Sequence, residues 1–240
     1  MTSMLQGVKG NNKMIHGIWL GKIMSPLAHA CVDDWEKQGY NYRLWTESDA
    51  EIPQWIDGCR FARECFHRGL YAFVTDYLRL KILQNFGGLY LDLDVTIRRN
   101  PFPLFEDLKF AVGYEADSRV GTSAIFAQPD SQILAELISF YEIGIWASPL
   151  YIGPHIFTEI LIDKGVSDLE RSKIFPSYYF NPYQGEDMFF DCAADAYLVH
   201  WYQHSWKRSR RMIFLKAKHL GFWGRLYTWQ KYFFQVRLRG

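Results

Sequence analysis

The sequence predicts an α/β fold built on a mainly parallel central sheet, and three observations predict it. Short apolar runs with strand character alternate with longer helical stretches along the chain. One of those stretches, Tyr71–Phe86, places Phe73, Val74, Tyr77, Leu78, Leu80, Ile82, Leu83 and Phe86 around much of its circumference, so it is a buried helix. Gly87-Gly88 ends that helix, and Leu89, Leu91, Leu93 and Val95 then alternate with Tyr90, Asp92, Asp94 and Thr96, which reads as a strand through Ile97.

The remaining elements follow in order. Lys13–Leu20 reads as a first strand stopped by Gly21, and Pro26–Gln38 as a helix with Ala28, Cys31, Val32 and Trp35 on one side. Tyr40–Trp45 is a short second strand, and Arg60–Arg68 a helix ending at Gly69. Phe110–Tyr114 and Ala124–Ala127 read as strands, Asp130–Trp146 and His155–Lys164 as helices, and Lys173–Tyr179 and Ala196–His200 as short strand-like runs. In open α/β sheets ligands bind beyond the carboxyl ends of strands, so the strand ends at Trp19 and Asp94 are expected to face one crevice.

Length and composition agree with one large domain or a domain with a small appendage. The chain has 240 residues, 49% hydrophobic and 22% charged, enough for a sizeable core. Net charge is +1, but it is unevenly spread. Trp201–Gly240 holds ten Lys/Arg and no Asp/Glu, which leaves 17 of the 27 basic residues against all 26 acidic ones before it. Such an asymmetry points to a partner. Cys31, Cys59, Cys65 and Cys192 show neither C-x-x-C nor zinc-site spacing, as in a reduced cytosolic protein. Met1–Asn12 is polar and lacks the apolar stretch of a signal peptide, and no run is long and apolar enough to span a membrane. A cytoplasmic protein is expected, touching a membrane only from its inner face.

The chemistry concentrates in two places. Residues i and i+2 of a strand share a face, so Asp92 and Asp94 would stand side by side on an apolar element. Two such charges call for something positive between them, and hard carboxylate oxygens suit Mg²⁺ or Mn²⁺, which can in turn hold a diphosphate. The competing reading is a strand that ends early, with both aspartates in a solvated turn. Asp76 and Arg79, three apart on the buried helix, share a face as well. They form either a self-satisfied ion pair or a donor site, Asp76 accepting from a ribose or sugar hydroxyl and Arg79 facing phosphate.

Four segments in this order carry a resemblance: His16-Gly17-Ile18-Trp19-Leu20-Gly21, Tyr42-Arg43-Leu44-Trp45-Thr46, Thr75-Asp76-Tyr77-Leu78-Arg79-Leu80, and Gly87-Gly88-Leu89-Tyr90-Leu91-Asp92-Leu93-Asp94. Together they resemble the glycosyltransferases with a sugar-binding region containing a DXD motif, which include capsular and lipopolysaccharide sugar transferases and yeast mannosyltransferases. The glucosyltransferase domains of clostridial toxins are more distant. The match is strong over 13–100 and continues weakly through Gly153-Pro154, Thr158, Tyr197–His200 and Ser205-Trp206.

The resemblance implies a GT-A-type fold that binds a nucleotide-diphosphate sugar, UDP favoured over GDP, with residues 1–206 as the catalytic domain. It implies retaining transfer of a hexose to a hydroxyl of a glycan or lipid-linked acceptor, in cell-surface polysaccharide synthesis. It makes Asp76, Arg79 and Asp94 catalytic, and Asp92, Asp94 and His200 ligands of Mn²⁺ or Mg²⁺. Ile18, Trp19, Thr75, Asp76, Arg79, Tyr90, Asp92, Ser205 and Trp206 would hold the nucleotide sugar, Trp19 stacking on the base and Ser205-Trp206 closing over the diphosphate. The competing reading of His200 is a buried histidine at a strand end.

Three departures stand out. Thr75 replaces the usual Ser, Trp201 stands where relatives carry a second His, and no Asn occurs near Gly121-Thr122-Ser123. The loops around Gly113–Ser123 and Tyr151–His155 are expected to set donor and acceptor specificity. No nucleophile is evident.

The tail, 207–240, alternates Lys/Arg with aromatic and aliphatic residues. It reads as an interfacial anchor on anionic lipid or as a helix packed on the domain; a nucleic-acid surface is disfavoured. Other functions remain: a carboxylate glycosidase, a carbohydrate-binding module, or a degenerate transferase that binds a nucleotide sugar without turnover. A glycosidase has no need of a base-stacking Trp or a metal pair.

Overall fold

The computed structural model describes residues 13–116, 118–183, 192, 194–203 and 212–237, with side chains to Lys231. Ser205 and Trp206 lie outside the described residues, as does the start of the basic tail.

The buried helix and the strand after it organise the molecule. Tyr71–Phe86 (here α4) is apolar around much of its circumference because it lies between the sheet and three other helices. Those are Glu51–Gly58 (α2), Arg60–His67 (α3) and Gln132–Glu142 (α5). Phe73, Val74, Tyr77, Leu78, Leu80, Ile82 and Leu83 are all buried in one core cluster, and truncating any of the leucines to Ala is expected to cost about 2–5 kcal/mol. Gly87 ends α4 at φ +66°, a left-handed conformation that glycine adopts without strain, and turns the chain straight into the sheet.

The main sheet has six strands in the order β2-β1-β3-β6-β5-β7. These are Ile15–Ile18 (β1), Tyr42–Trp45 (β2), Gly88–Leu91 (β3), Phe110–Ala116 (β5), Arg119–Ala127 (β6) and Ser172–Phe175 (β7). β2, β1 and β3 run parallel, β5 and β7 run with them, and β6 alone is reversed. The mainly parallel α/β sheet is as the alternation predicts. Its other face is covered by Pro26–Lys37 (α1), capped by Ser25 Oγ on the Ala28 N–H, and by a two-stranded ribbon of Val95–Ile97 (β4) and Leu198–His200 (β8).

Several elements differ from the sequence reading. The strand drawn through Leu89–Ile97 breaks: Asp92-Leu93-Asp94 is a turn, closed by the Val95 N–H on the Asp92 carbonyl at 3.1 Å. Alternation runs on through the turn, but the backbone takes the competing reading, a strand that ends early, as aspartate favours turns over strands. The first strand is only Ile15–Ile18. The helix placed at 130–146 is α5 plus a 3-10 turn at Gly144–Trp146. The one at 155–164 starts at Gly153–Thr158 (α6) and ends in a π-turn. The run at 173–179 splits at Pro176 into β7 and the short helix Ser177–Phe180 (α7). Helix α2 was not foreseen.

Part of the tail packs inward. Ile213–Ala217 (α8) buries Leu215 in the α4 core, and Met212 just before it is buried too. A 3-10 turn then leads to Gly221–Arg237 (α9).

Candidate active site

One wall of the site is a cation shared by two acids. On α4, Arg79 Nη2 lies 3.0 Å from Asp76 Oδ1, the i,i+3 contact the spacing implied, and 3.3 Å from Asp92 Oδ1. Its Nε–H donates to the Thr75 carbonyl at 3.1 Å and Nη1–H to the Thr122 carbonyl at 2.5 Å. The guanidinium sits 4.7 Å above the Tyr90 ring, and the Tyr90 hydroxyl donates to Asp92 Oδ1 at 2.7 Å. Arg79, 4% exposed, is thus held from all sides, and the neighbouring acids keep it charged.

Burial pushes the Asp76 carboxyl up to about 6; Arg79 pulls it down, the Asp92 charge adds to the rise, and the Gly153 N–H lowers it. Gly153 opens α6, and a Cβ there would come within 2.9 Å of Asp76 Oδ1, so only glycine lets that backbone reach the carboxylate. The sequence signal was the Gly153-Pro154 pair, which suits a first helical turn.

The other wall is the ribbon. Pairing of β4 with β8 sets Val95 opposite His200, which brings the histidine to Asp94. His200 Nε2 lies 3.3 Å from Asp94 Oδ1, and the Gln203 N–H donates to Asp94 Oδ2 at 2.8 Å. Burial alone would raise Asp94, but His200 and the Gln203 N–H outweigh it and hold the carboxyl below its usual range. Burial alone would lower His200, but the bond and charge of Asp94 hold it above. His200 Nδ1 is buried with no hydrogen-bond partner among the described residues.

The turn therefore gathers what a single strand face would not. Asp92, Asp94 and His200 offer ligand atoms that all lie within 4.8 Å of one another. Opposite ligands of an octahedral ion with bonds of about 2.1 Å are ~4.2 Å apart, so the three fit one divalent cation after small side-chain shifts. Neither aspartate is solvated in the manner of a surface turn: their side chains are 27% and 14% exposed.

Both walls face one cavity of about 730 Å³. Ile18 and Trp19, at the end of β1, line it with Thr75, Asp76, Arg79, Tyr90, Asp92, Asp94 and His200. Trp19, just past β1, and the Asp92–Asp94 turn, just past β3, thus share a crevice. The Thr75 hydroxyl is turned back to the Ala72 carbonyl at 2.9 Å. The Trp19 indole N–H is buried without a hydrogen-bond partner among the described residues. The two loops expected to set specificity also line the cavity, through Glu115, Arg119, Thr122 and Ser123 and through Ile152, Gly153, Pro154 and His155. Tyr202, Gln203 and Met212 line it too, and none of these three was named beforehand. Ser123 Oγ donates to Asn181 Oδ1 at 3.2 Å, so an asparagine distant in sequence stands behind the segment that lacks one.

Residues 26–111 match the family described as glycosyltransferase sugar-binding region containing DXD motif. The chain is 24% identical over 186 residues to Subversion of eukaryotic traffic protein A of Legionella pneumophila, covering 64% of this chain and 28% of that protein. It thus spans little more than a quarter of that relative's length. Among solved structures, the PaToxG glycosyltransferase is similar at 20% identity and TM-score 0.47, over 64% of this chain and 69% of that one. A glycosyltransferase involved in the glycosylation of the major capsid of PBCV-1 is similar at 15% identity and TM-score 0.47, over 78% and 92%. The assignment of the region rests on the family match.

Proposed function

We propose, on the premise that residues 26–111 are a DXD-type glycosyltransferase sugar-binding region, that this chain is a metal-dependent GT-A-type hexosyltransferase. Its donor is a nucleotide-diphosphate sugar, UDP favoured, and its acceptor a hydroxyl of a glycan or lipid-linked glycan. The observation that carries the reading is the convergence of Asp92, Asp94 and His200 on one point of a crevice whose far end holds Trp19.

In this reading Asp92, Asp94 and His200 hold Mn²⁺ or Mg²⁺, the imidazole favouring Mn²⁺. When bound, the ion supplies Lewis-acid stabilisation of the departing diphosphate. Trp19 stacks on the base, with Ile18 beside it. Asp76, at the crevice wall, accepts a hydroxyl of ribose or the donor sugar. Arg79 acts from beneath: its hydrogen bonds to Thr75 and Thr122 and its contacts with Asp76 and Asp92 fix both carboxylates in place. Tyr90 steadies Asp92, and Thr75 positions Arg79. Retention of configuration and a role in surface polysaccharide synthesis are supported by family resemblance. The expected catalytic unit of 1–206 is extended in this reading through α8, a boundary supported by the inward packing of Met212 and Leu215.

The test is thermal-shift binding against UDP- and GDP-sugars with and without Mn²⁺, followed by product detection. Metal-dependent stabilisation by one UDP-sugar, with turnover, is expected. Binding without turnover would mark a non-catalytic nucleotide-sugar-binding protein. A flat response to every nucleotide sugar in both conditions would overturn the proposal.

A further inference from the structure

Helix α9 carries residues that the crevice does not use. Phe222, Leu226 and Trp229 recur at i, i+4 and i+7, and Trp223 and Tyr227 run alongside them, so together they cover about half of the helix circumference. All five are exposed: Phe222 68%, Trp223 73% and Trp229 63%, with Leu226 and Tyr227 at 40% and 45%. Single exposed apolar residues need no explanation, but a contiguous aromatic face does.

The opposite side of the helix is the one that packs. Gly224 is buried, and a Cβ there would collide with the Ala217 carbonyl, so the small residue lets α9 seat on the end of α8. Thr228, next on that side, is half-buried. The seat itself is fixed, because Lys218 Nζ donates to the Ile145 carbonyl at 2.6 Å and also to the Ser148 carbonyl. The aromatic face is therefore turned outward by construction.

Charge says what meets it. Arg225 and Lys231, both exposed, flank the aromatic arc, and Lys216 is exposed on α8. The stretch 201–240 contains ten Lys/Arg and no acidic residue, whereas the rest of the chain is net acidic. A protein partner of ordinary composition does not select for the complete loss of acidic residues; an anionic surface does. Trp and Tyr with flanking Lys/Arg are the residues that settle at the headgroup level of a bilayer. No helix among the described residues is long and apolar enough to cross a membrane.

We propose that α9 lies in the interface of an anionic phospholipid bilayer, its Phe222–Trp229 face among the headgroups and its basic residues on lipid phosphates. Met212, which lines the crevice, leads through α8 directly into this helix, so the surface it contacts lies close to the crevice along the chain. The inference stands apart from the transferase reading: vesicle binding is read without nucleotide, and nucleotide binding without vesicles.

The test is co-sedimentation of the full chain with vesicles of phosphatidylcholine alone and of phosphatidylcholine with phosphatidylglycerol at about three to one. Binding to the anionic vesicles, weakened by salt and accompanied by a blue shift of tryptophan emission, is expected. Trp223→Ser with Trp229→Ser should abolish it. Arg225→Gln with Lys231→Gln should weaken it roughly thirtyfold, and keeps the test open should the tryptophan variant fail to fold. Four outcomes overturn the proposal: no binding to either vesicle, equal binding to both, both variants binding like the parent, or a dimer dissolved by the tryptophan substitutions in a chain that ignores lipid.

Discussion

On the α4 side of the crevice, Asp76 and Asp92 share the guanidinium of Arg79, which keeps its charge at any pH the fold survives. On the ribbon side, Asp94 faces the imidazole of His200, a partner that can lose its proton and offer a lone pair instead. The first arrangement is complete without a ligand. The second is held by a proton between His200 Nε2 and Asp94, and a divalent cation is the natural replacement for that proton. The difference assigns positioning to Arg79, which holds Asp76 and Asp92 from the α4 side, and metal capture to Asp92, Asp94 and His200.

Breaking the α4 side should therefore damage the fold more than the ribbon does. Arg79→Met leaves two half-buried carboxylates without their cation and should cost about 3–5 kcal/mol in urea denaturation. Combining it with Asp76→Asn should recover part of that loss, as coupled neighbours do. Asp94→Asn should do the reverse: transfer rate down by roughly 10²–10³, the loss expected when a preorganised charge-stabilising group is removed, with little change in melting temperature. Equal damage to stability in both variants would erase the distinction.

A second histidine sharpens the contrast. His16, on β1, accepts from the Trp45 indole N–H at Nδ1 (3.2 Å) and bonds the Gly87 carbonyl through Nε2 (3.0 Å), an arrangement only the neutral ring satisfies. Burial lowers its pKa from 6.5 to about 4, against the Gly87 bond and with help from Arg43. Between those values the unfolded chain binds the extra proton, so stability falls as pH drops through this window and levels below it, by about 3 kcal/mol in all. The carboxyl of Asp76, raised to about 6, works with the opposite sign, losing stability as pH rises toward that value. Because Asp76 is common to both proteins, the difference between parent and His16→Gln denaturation curves across pH isolates the histidine. The smallest effect should be on Trp19→Leu, which is expected to weaken nucleotide binding roughly tenfold by loss of base stacking while the metal site persists.

What was legible in the sequence follows the same division. Asp76 and Arg79 could be paired because helical spacing alone puts them on one face. Trp19 could be placed because a strand end in a parallel sheet opens on the crevice. The ribbon side was harder. Alternation through Asp92-Leu93-Asp94 imitated a strand, and the partner of Asp94 lies on a strand with no local link to it. His200 was named from resemblance; only the β4–β8 register shows why it reaches the aspartate. The Gly153 N–H on Asp76 and the backing of Ser123 by Asn181 are long-range contacts that no local pattern announces. The aromatic tail was legible as composition, but which of its residues turn inward was not.

The most direct measurement is a calorimetric titration of UDP into the parent and into Asp94→Asn, each with and without Mn²⁺. If Asp92, Asp94 and His200 hold the cation that carries the diphosphate, Mn²⁺ should tighten UDP binding by roughly tenfold or more in the parent and leave the variant unchanged. UDP binding that ignores Mn²⁺ in the parent, or an Asp94→Asn protein that keeps the full metal-dependent gain, would contradict it.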